Sequence, residues 1–283
     1  ILNNATTGLS LFCCTYSVII NNTCENNNDR GIELSYSDNS TVINNTCNNN
    51  DRGIDIWSSD SSTVANNTFT NCGLKISEET IDAYLSYTVE NNWVNEKPLG
   101  FYTNLDSTII AEPVYGQLIL ANCTNVIVRD QILNNATTGL SLFCCTYSVI
   151  INNTCNNNVY DGIYLYSSGS STVTNNTCEN NNFGIYLLYS GSSTVTNNTC
   201  KNNNNQGIDI LFSDSSTVAN NTFTNCGLKI SEETIDAYLS YTVEDNRVNG
   251  KKLGFYTNLD STIIDEPVYG QLILANCTNV IVR

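Results

Sequence analysis

The chain reads as an all-β solenoid, a parallel β-helix with about 22–23 residues per coil. Three observations predict it: a motif that returns at fixed spacing, a two-residue alternation inside that motif, and glycines that keep the phase. GIELSYSDNSTVINNTC (31–47) returns as GIYLYSSGSSTVTNNTC (162–178) and as GIYLLYSGSSTVTNNTC (184–200). Looser versions run from Gly53 to Cys72 and from Gly207 to Cys226. The anchoring glycines fall at 8, 31, 53, 73, 100, 116, 139, 162, 184, 207, 227, 254 and 270, one for each of about thirteen coils. Such a stack is a rod of roughly 60 Å, and its two ends would be open and uncapped.

Within a coil, Ile32 and Leu34 alternate with polar Glu33, as in a strand with one buried face. A Ser/Asp/Asn cluster follows, suited to a tight corner. STVINNT then supplies a second short β-branched run. No window carries apolar residues at helical spacing over two turns. One coil cannot close a core alone, so it must stack on its neighbours. Stacking also accounts for the asparagine runs, because like residues in successive coils lie about 4.8 Å apart and amides can bond along a ladder. The NNT pairs Asn44/Asn45, Asn66/Asn67, Asn175/Asn176, Asn197/Asn198 and Asn220/Asn221 are the expected ladder.

Taken in order, the chain is two copies of a larger unit, 1–129 and 130–283, expected to form one continuous solenoid. ILNNATTGLSLFCCTYSVIINNTC opens at Ile1 and returns intact at Ile132. The second unit has one extra coil, at Gly184. The chain opens on Ile1 and holds no Met, which reads as a processed product or a fragment. The period breaks after Gly73, stretching to 27 and shrinking to 16, and the break recurs after Gly227. VNEKPLGFY and its counterpart VNGKKLGFY lie there, rich in turn formers. A lateral packing surface is the expectation for 73–116 and 227–270, ahead of a ligand site.

Net charge is −16 with 11 basic residues, which excludes nucleic acid and anionic membrane surfaces as natural partners. No apolar run reaches 18 residues, so no spanning helix is expected. An acidic surface can collect Ca²⁺; otherwise no cofactor and no metal site is expected. The cysteines are Cys13, Cys14, Cys24, Cys47, Cys72, Cys123, Cys144, Cys145, Cys155, Cys178, Cys200, Cys226 and Cys277. Five of them end an NNTC and share one phase, close enough in adjacent coils to pair. With an odd total and two vicinal pairs, they are read as candidates for cross-links along and between rods. The alternative is a ladder of free, buried thiols acting as small hydrophobes.

The repeat GIxLxxSxxSTVxNNT resembles that of the NosD-type family, also described as carbohydrate-binding and sugar-hydrolysis repeats. The resemblance implies a right-handed, three-faced parallel β-helix. It is strengthened by VNEKPLGFY followed by YGQLILANCTNVIVRDQILNNATTGLSL, an order of segments similar to that in surface proteins of methanogenic archaea. Copper delivery, linked to the namesake members, is not implied here, since the chain has neither His nor Met. The resemblance instead implies an extracellular structural protein of a sheath, surface layer or filament, with copies of itself as partner, end to end and laterally.

Two other functions compete with this one. Catalysis on polysaccharides needs paired carboxylates at a set separation, or a Ca²⁺ cluster with a basic residue as proton acceptor. Asp51, Asp55 with Arg52, Asp60 and Asp209 are present, but the positions equivalent to Asp55 are Glu33, Tyr164 and Tyr186, so no acidic pair and no enzyme is expected. Glycan binding would use Tyr164 and Tyr186, stacked in adjacent coils, with Tyr166 and Tyr189 close by. Of twelve Asn-x-Ser/Thr sequons, those in NNT are read as consumed by the ladder, leaving Asn4, Asn39 and Asn135 as glycan acceptors.

Overall fold

The computed structural model describes residues 1–265 and 267–283. The chain winds as a right-handed parallel β-helix of about 13 turns. Its strands are short, two to seven residues, and nearly all pair in parallel with the same segment one coil away. Ile32 lies between Leu9 and Ile54, and Val173 lies between Ile150 and Val195. The inward residues Ile32, Leu34, Val42, Cys47, Ile54 and Ile56 are fully buried, as the alternation predicts. Glycine holds the phase because the coils touch there: a Cβ on Gly162 would come 2.6 Å from the Gly184 carbonyl oxygen.

The ladders divide at two points. Trp93–Val94 pairs antiparallel with Lys97–Pro98, and Arg247–Val248 with Lys251–Lys252. Both reversals use two-residue turns in the left-handed region, Asn95–Glu96 at φ 49° and 65° and Asn249–Gly250 at 51° and 77°. This is the turn geometry that joins adjacent antiparallel strands, and Asn-Gly is its favoured sequence. Three stacks of parallel coils result, 1–94, 97–248 and 251–283. Their limits are out of phase with the sequence repeat at 129/130.

Two separate cores follow from that division. One runs from Ile19 to Val94, the other from Ile110 to Leu253. The far end of the first core is closed by outward-facing side chains of the second stack, Ile119, Ala121 and Phe143. Gln117–Ala121 is therefore buried on both faces. Leu118 and Leu120 point into one core, Ile119 and Ala121 into the other.

Two single-turn helices also appear, α1 (Ile81–Ser86) and α2 (Ile235–Leu239). The sequence showed no helical periodicity because one turn is too short to display any. The local signal is a cap: Thr80 Oγ1 accepts from the Ala83 N–H at 3.3 Å, and Asp82 sits in the first turn.

The asparagine pairs split into two roles. Asn45, Asn67, Asn176, Asn198 and Asn221 form the buried ladder, each Nδ2 donating to the next Oδ1 at 2.9–3.1 Å. Asn44, Asn66, Asn175, Asn197 and Asn220 instead turn outward at φ between 55° and 59°. Asparagine suits both jobs, since it tolerates the left-handed corner and carries a donor and an acceptor for the ladder. A second ladder, Asn158–Asn181–Asn203, and serine ladders such as Ser168–Ser190–Ser213 seal the other corners.

Candidate functional site

The first reversal lays the end of the first stack against the side of the second, and a cleft opens along the seam. The seam begins with Gln117. Its Oε1 accepts from the Leu74 N–H at 3.0 Å and its Nε2 donates to the Leu74 carbonyl at 2.8 Å. One side chain thus replaces the missing next strand on the edge of Leu74–Ser77. Thr137 adds a second clasp, accepting from the Gly73 N–H at 2.9 Å and donating to the Asp51 carbonyl at 3.0 Å.

Beside these clasps lies a cavity of about 400 Å³. Its first wall is Trp57, Lys75 and Ser77; the second is Tyr160, Asp161, Tyr164, Phe183 and Tyr186. Aromatic faces dominate. Tyr164 stacks on Tyr186 at 5.3 Å, Tyr186 on Phe183 at 5.2 Å, and Phe143 on Tyr84 at 4.3 Å. Arg52 and Lys75 lie over the Tyr160 ring, 4.7 and 5.0 Å from its centroid. A neighbouring hollow, sharing Trp57, Lys75 and Ser77, continues past Arg30, Glu33, Arg52 and Asp55. From Trp57 an exposed aromatic strip runs on through Tyr36 to Phe12, with centroids 4.7 and 5.7 Å apart.

Asp161 is the titratable group that burial affects most usefully. Desolvation pushes its carboxyl up to about 7, against the opposing pull of the Lys75 ammonium and of the Thr138 hydroxyl, which donates to it at 3.4 Å. Desolvation also lowers the Lys75 ammonium, with Arg52 acting in the same direction. A carboxyl that titrates near neutrality beside a weakened ammonium can hold or release a proton at working pH. Glu78, by contrast, is structural: it accepts from the Tyr87 hydroxyl and from the Ser59 N–H, under the rim.

The sequence-derived candidates fall as follows. Glu33 and Asp55 are direct partners in adjacent coils, and Asp55 pairs on its other side with Lys75, which the sequence did not single out. Arg30 and Arg52 each reach Asp55 at 2.7 Å. The expectation that stacking builds no acidic pair is therefore corrected, because Glu33 and Asp55 are neighbours on one outward face about 4.8 Å apart. Asp51 lies at the seam through its carbonyl, Asp60 is exposed, and Asp209 pairs with Lys229 at 3.6 Å. Tyr164 and Tyr186 stack as expected, but against the seam rather than on an open face. Asp161, Tyr160 and Lys75 were missed. For Tyr160 and Asp161 the sequence signal is a break of pattern, VYDG where other coils read NDRG or NNFG, and Lys75, in GLKIS, has no such signal.

All thirteen cysteines are free thiols. Cys24, Cys47, Cys155, Cys178 and Cys200 share one phase, as expected, and are sealed inside the core. The vicinal pairs are not strand residues: Cys13 and Cys144 occupy left-handed corners at φ 54° and 53°. Cys72, Cys123 and Cys145 are buried too, whereas Cys13 and Cys14 are exposed and Cys144, Cys226 and Cys277 half-buried. Asn4, Asn39 and Asn135 are exposed corner residues. So are the sequon asparagines of the NNT motifs, which the ladder does not consume. Among the described residues no group of three or more His, Cys, Asp or Glu is placed to hold a metal ion, and no helix is long and apolar enough to cross a membrane.

Parallel coils, corner asparagines and an open outward face define a β-helix repeat protein. The chain belongs to the right handed beta helix region family, whose model matches residues 1–113 and 116–282. No curated protein matches it in sequence. Among solved structures it is similar to the periplasmic alginate epimerase AlgG, at 14% identity over 95% of this chain and 78% of that one, TM-score 0.43. It is similar also to DFA-IIIase from Arthrobacter chlorophenolicus A6, at 11% identity over 90% and 64%, TM-score 0.39. A third is the mannuronan C-5 epimerase AlgE6 A-module of Azotobacter vinelandii, at 11% identity over 94% and 80%, TM-score 0.31. At these identities the likeness concerns the fold. The expectation that the chain is no enzyme is corrected, because the exclusion rested on an absent acidic pair, and the fold pairs Glu33 with Asp55.

Proposed function

We propose that the chain is a carbohydrate-active β-helix protein of the cell envelope or exterior that binds a polysaccharide segment along the seam between its first two stacks. The observation that carries this reading is the cleft itself. Aromatic faces from both walls converge there on Lys75 and Asp161, with a further aromatic strip leading in through Tyr36 and Trp57. Sugar rings present apolar C–H faces and polar rims, so a cleft that alternates aromatic planes with charged hydrogen-bonding groups suits them. Lys75 and Asp161 sit where a bound sugar would meet a proton donor and acceptor.

The test is a titration of the whole chain with a panel of soluble acidic and neutral polysaccharides, followed through tryptophan fluorescence. We expect at least one member to quench or shift the emission, and Trp57→Ala or Tyr186→Ala to weaken its binding about tenfold, worth about 1.4 kcal/mol. Asp161→Asn is expected to leave affinity nearly intact while removing any turnover of the bound glycan. A panel without response, or variants that bind as the parent does, would sink the reading.

A further inference from the structure

The aromatic surface that leads into the cleft along the first stack also leads out of it along the second. Trp57 and Tyr166 both line the cavity, one from each stack. From Tyr166 the rings continue to Tyr189, at 6.0 Å, and on to Phe212, at 5.3 Å. Each ring comes from the next coil, so the strip advances by about 4.8 Å per step, the scale of one sugar ring in an extended chain. Tyr189 is 52% exposed. The coils of Tyr189 and Phe212 are each paired on both sides, so what these rings expose is the flank of the stack. Both hold left-handed corners, at φ 51° and 49°, where bulky side chains are uncommon. Equivalent corners are held by Ser58 and Ser167, so the backbone does not call for a ring there.

The charges along this track decide what it can hold. Its cations are Arg30, Arg52 and Lys75, and each already faces a carboxylate. Arg30 reaches Asp29 at 2.8 Å and Asp55 at 2.7 Å, Arg52 reaches Asp55 at 2.7 Å, and Lys75 is the cross-strand partner of Asp55. Glu33, Glu78, Glu79 and Asp161 also line the cleft and its neighbouring hollow. Beside Phe212 stand Asp214, Glu232 and Glu233, with no cation among the described residues that line that end. A polyuronate would bring one more negative charge per sugar into this field and be repelled. The hydroxyls of an uncharged sugar instead donate to the same carboxylates.

We propose that the ligand of the cleft is an uncharged glycan, long enough to run from Trp57 through the cavity and over Tyr166, Tyr189 and Phe212. This inference rests on the glycan reading and adds to it the charge of the ligand and a second run of sugar positions. Phe212 lies two coils beyond Tyr166, so only a long chain reaches it.

The experiment is isothermal titration calorimetry of the whole chain with cello- and manno-oligosaccharides from disaccharide to octasaccharide, beside oligogalacturonates and chitosan oligomers of matching length. Affinity for the neutral chains should rise with length and stay within about twofold between low and high salt. Phe212→Ala should weaken octasaccharide binding about tenfold and disaccharide binding by less than about twofold, and Phe212→Tyr should keep the parent values. Thermal unfolding of each variant confirms that it remains folded. Neutral octasaccharides that bind Phe212→Ala as tightly as the parent overturn the second run of positions and leave the cleft reading standing. Tighter, salt-sensitive binding of oligogalacturonates or chitosan oligomers overturns the uncharged ligand. Binding by no chain of any class removes the cleft reading, and this inference with it.

Discussion

The two reversals of the chain are built from nearly the same residues and end in different states. At the first, Gln117–Ala121 is buried throughout and Tyr84 is 3% exposed. At the second, Tyr269–Ala275 is half-buried or exposed at every residue but Ala275, and Tyr238 is half-exposed. The hairpin, the one-turn helix and the glutamine clasp are common to both. What differs is the next coil: Leu140–Phe143 covers the first edge, and among the described residues no strand covers the second. A seam in this protein is therefore a three-part object, consisting of the end of one stack, a clasp, and a covering coil.

Three measurements would break or sharpen that comparison. The largest effect is expected at the covering coil. Phe143→Ala should destabilise by about 3 kcal/mol, since it empties a buried ring site against Tyr84, whereas Phe12→Ala should cost under about 0.5 kcal/mol. Equal losses in urea unfolding would mean that the two copies are not in different environments. Next comes the clasp. Gln117→Ala leaves the Leu74 N–H and carbonyl buried without partners and should cost about 2 kcal/mol, while Gln271→Ala, at an edge that water reaches, should cost about 1 kcal/mol.

The third effect is a pH slope at the first seam. An Asp carboxyl titrates near 3.9 in the unfolded chain and Asp161 near 7 in the folded one, so between these values the folded state holds the extra proton. Stability should fall as pH rises through that window, by about 1 kcal/mol between pH 5 and 6, and level off above 7. Asp161→Asn should flatten the slope in pH-dependent unfolding. An unchanged slope would remove Asp161 from the account.

Much of the coil was legible from the sequence, because a solenoid writes its structure locally. The Ile32/Leu34 alternation, the phase of Val42 and Val173, and the anchoring glycines each depend on the nearest coil, one period away. The seam was not legible in the same way. Thr137 reaches Gly73 across 64 residues and Asp51 across 86, distances at which periodicity carries no information. The disturbed spacing after Gly73 marked the place without revealing that Asn95–Glu96 reverses the chain. The division of labour within each Asn pair was hidden for another reason. Both members are asparagine, so only the backbone angle decides which turns out and which joins the ladder.

The offset between the repeat and the stacks bears on how such a gene can change. A repeat ends at Arg129, inside the second stack, so that stack is assembled from the tail of one copy and the head of the next. Recombination between copies therefore exchanges half-stacks, and every product regenerates a junction already known to fit. Adding a single coil, as at Gly184, lengthens one stack and leaves both reversals intact. Length and number of stacks are thus inherited as independent variables, and selection can tune one without touching the other.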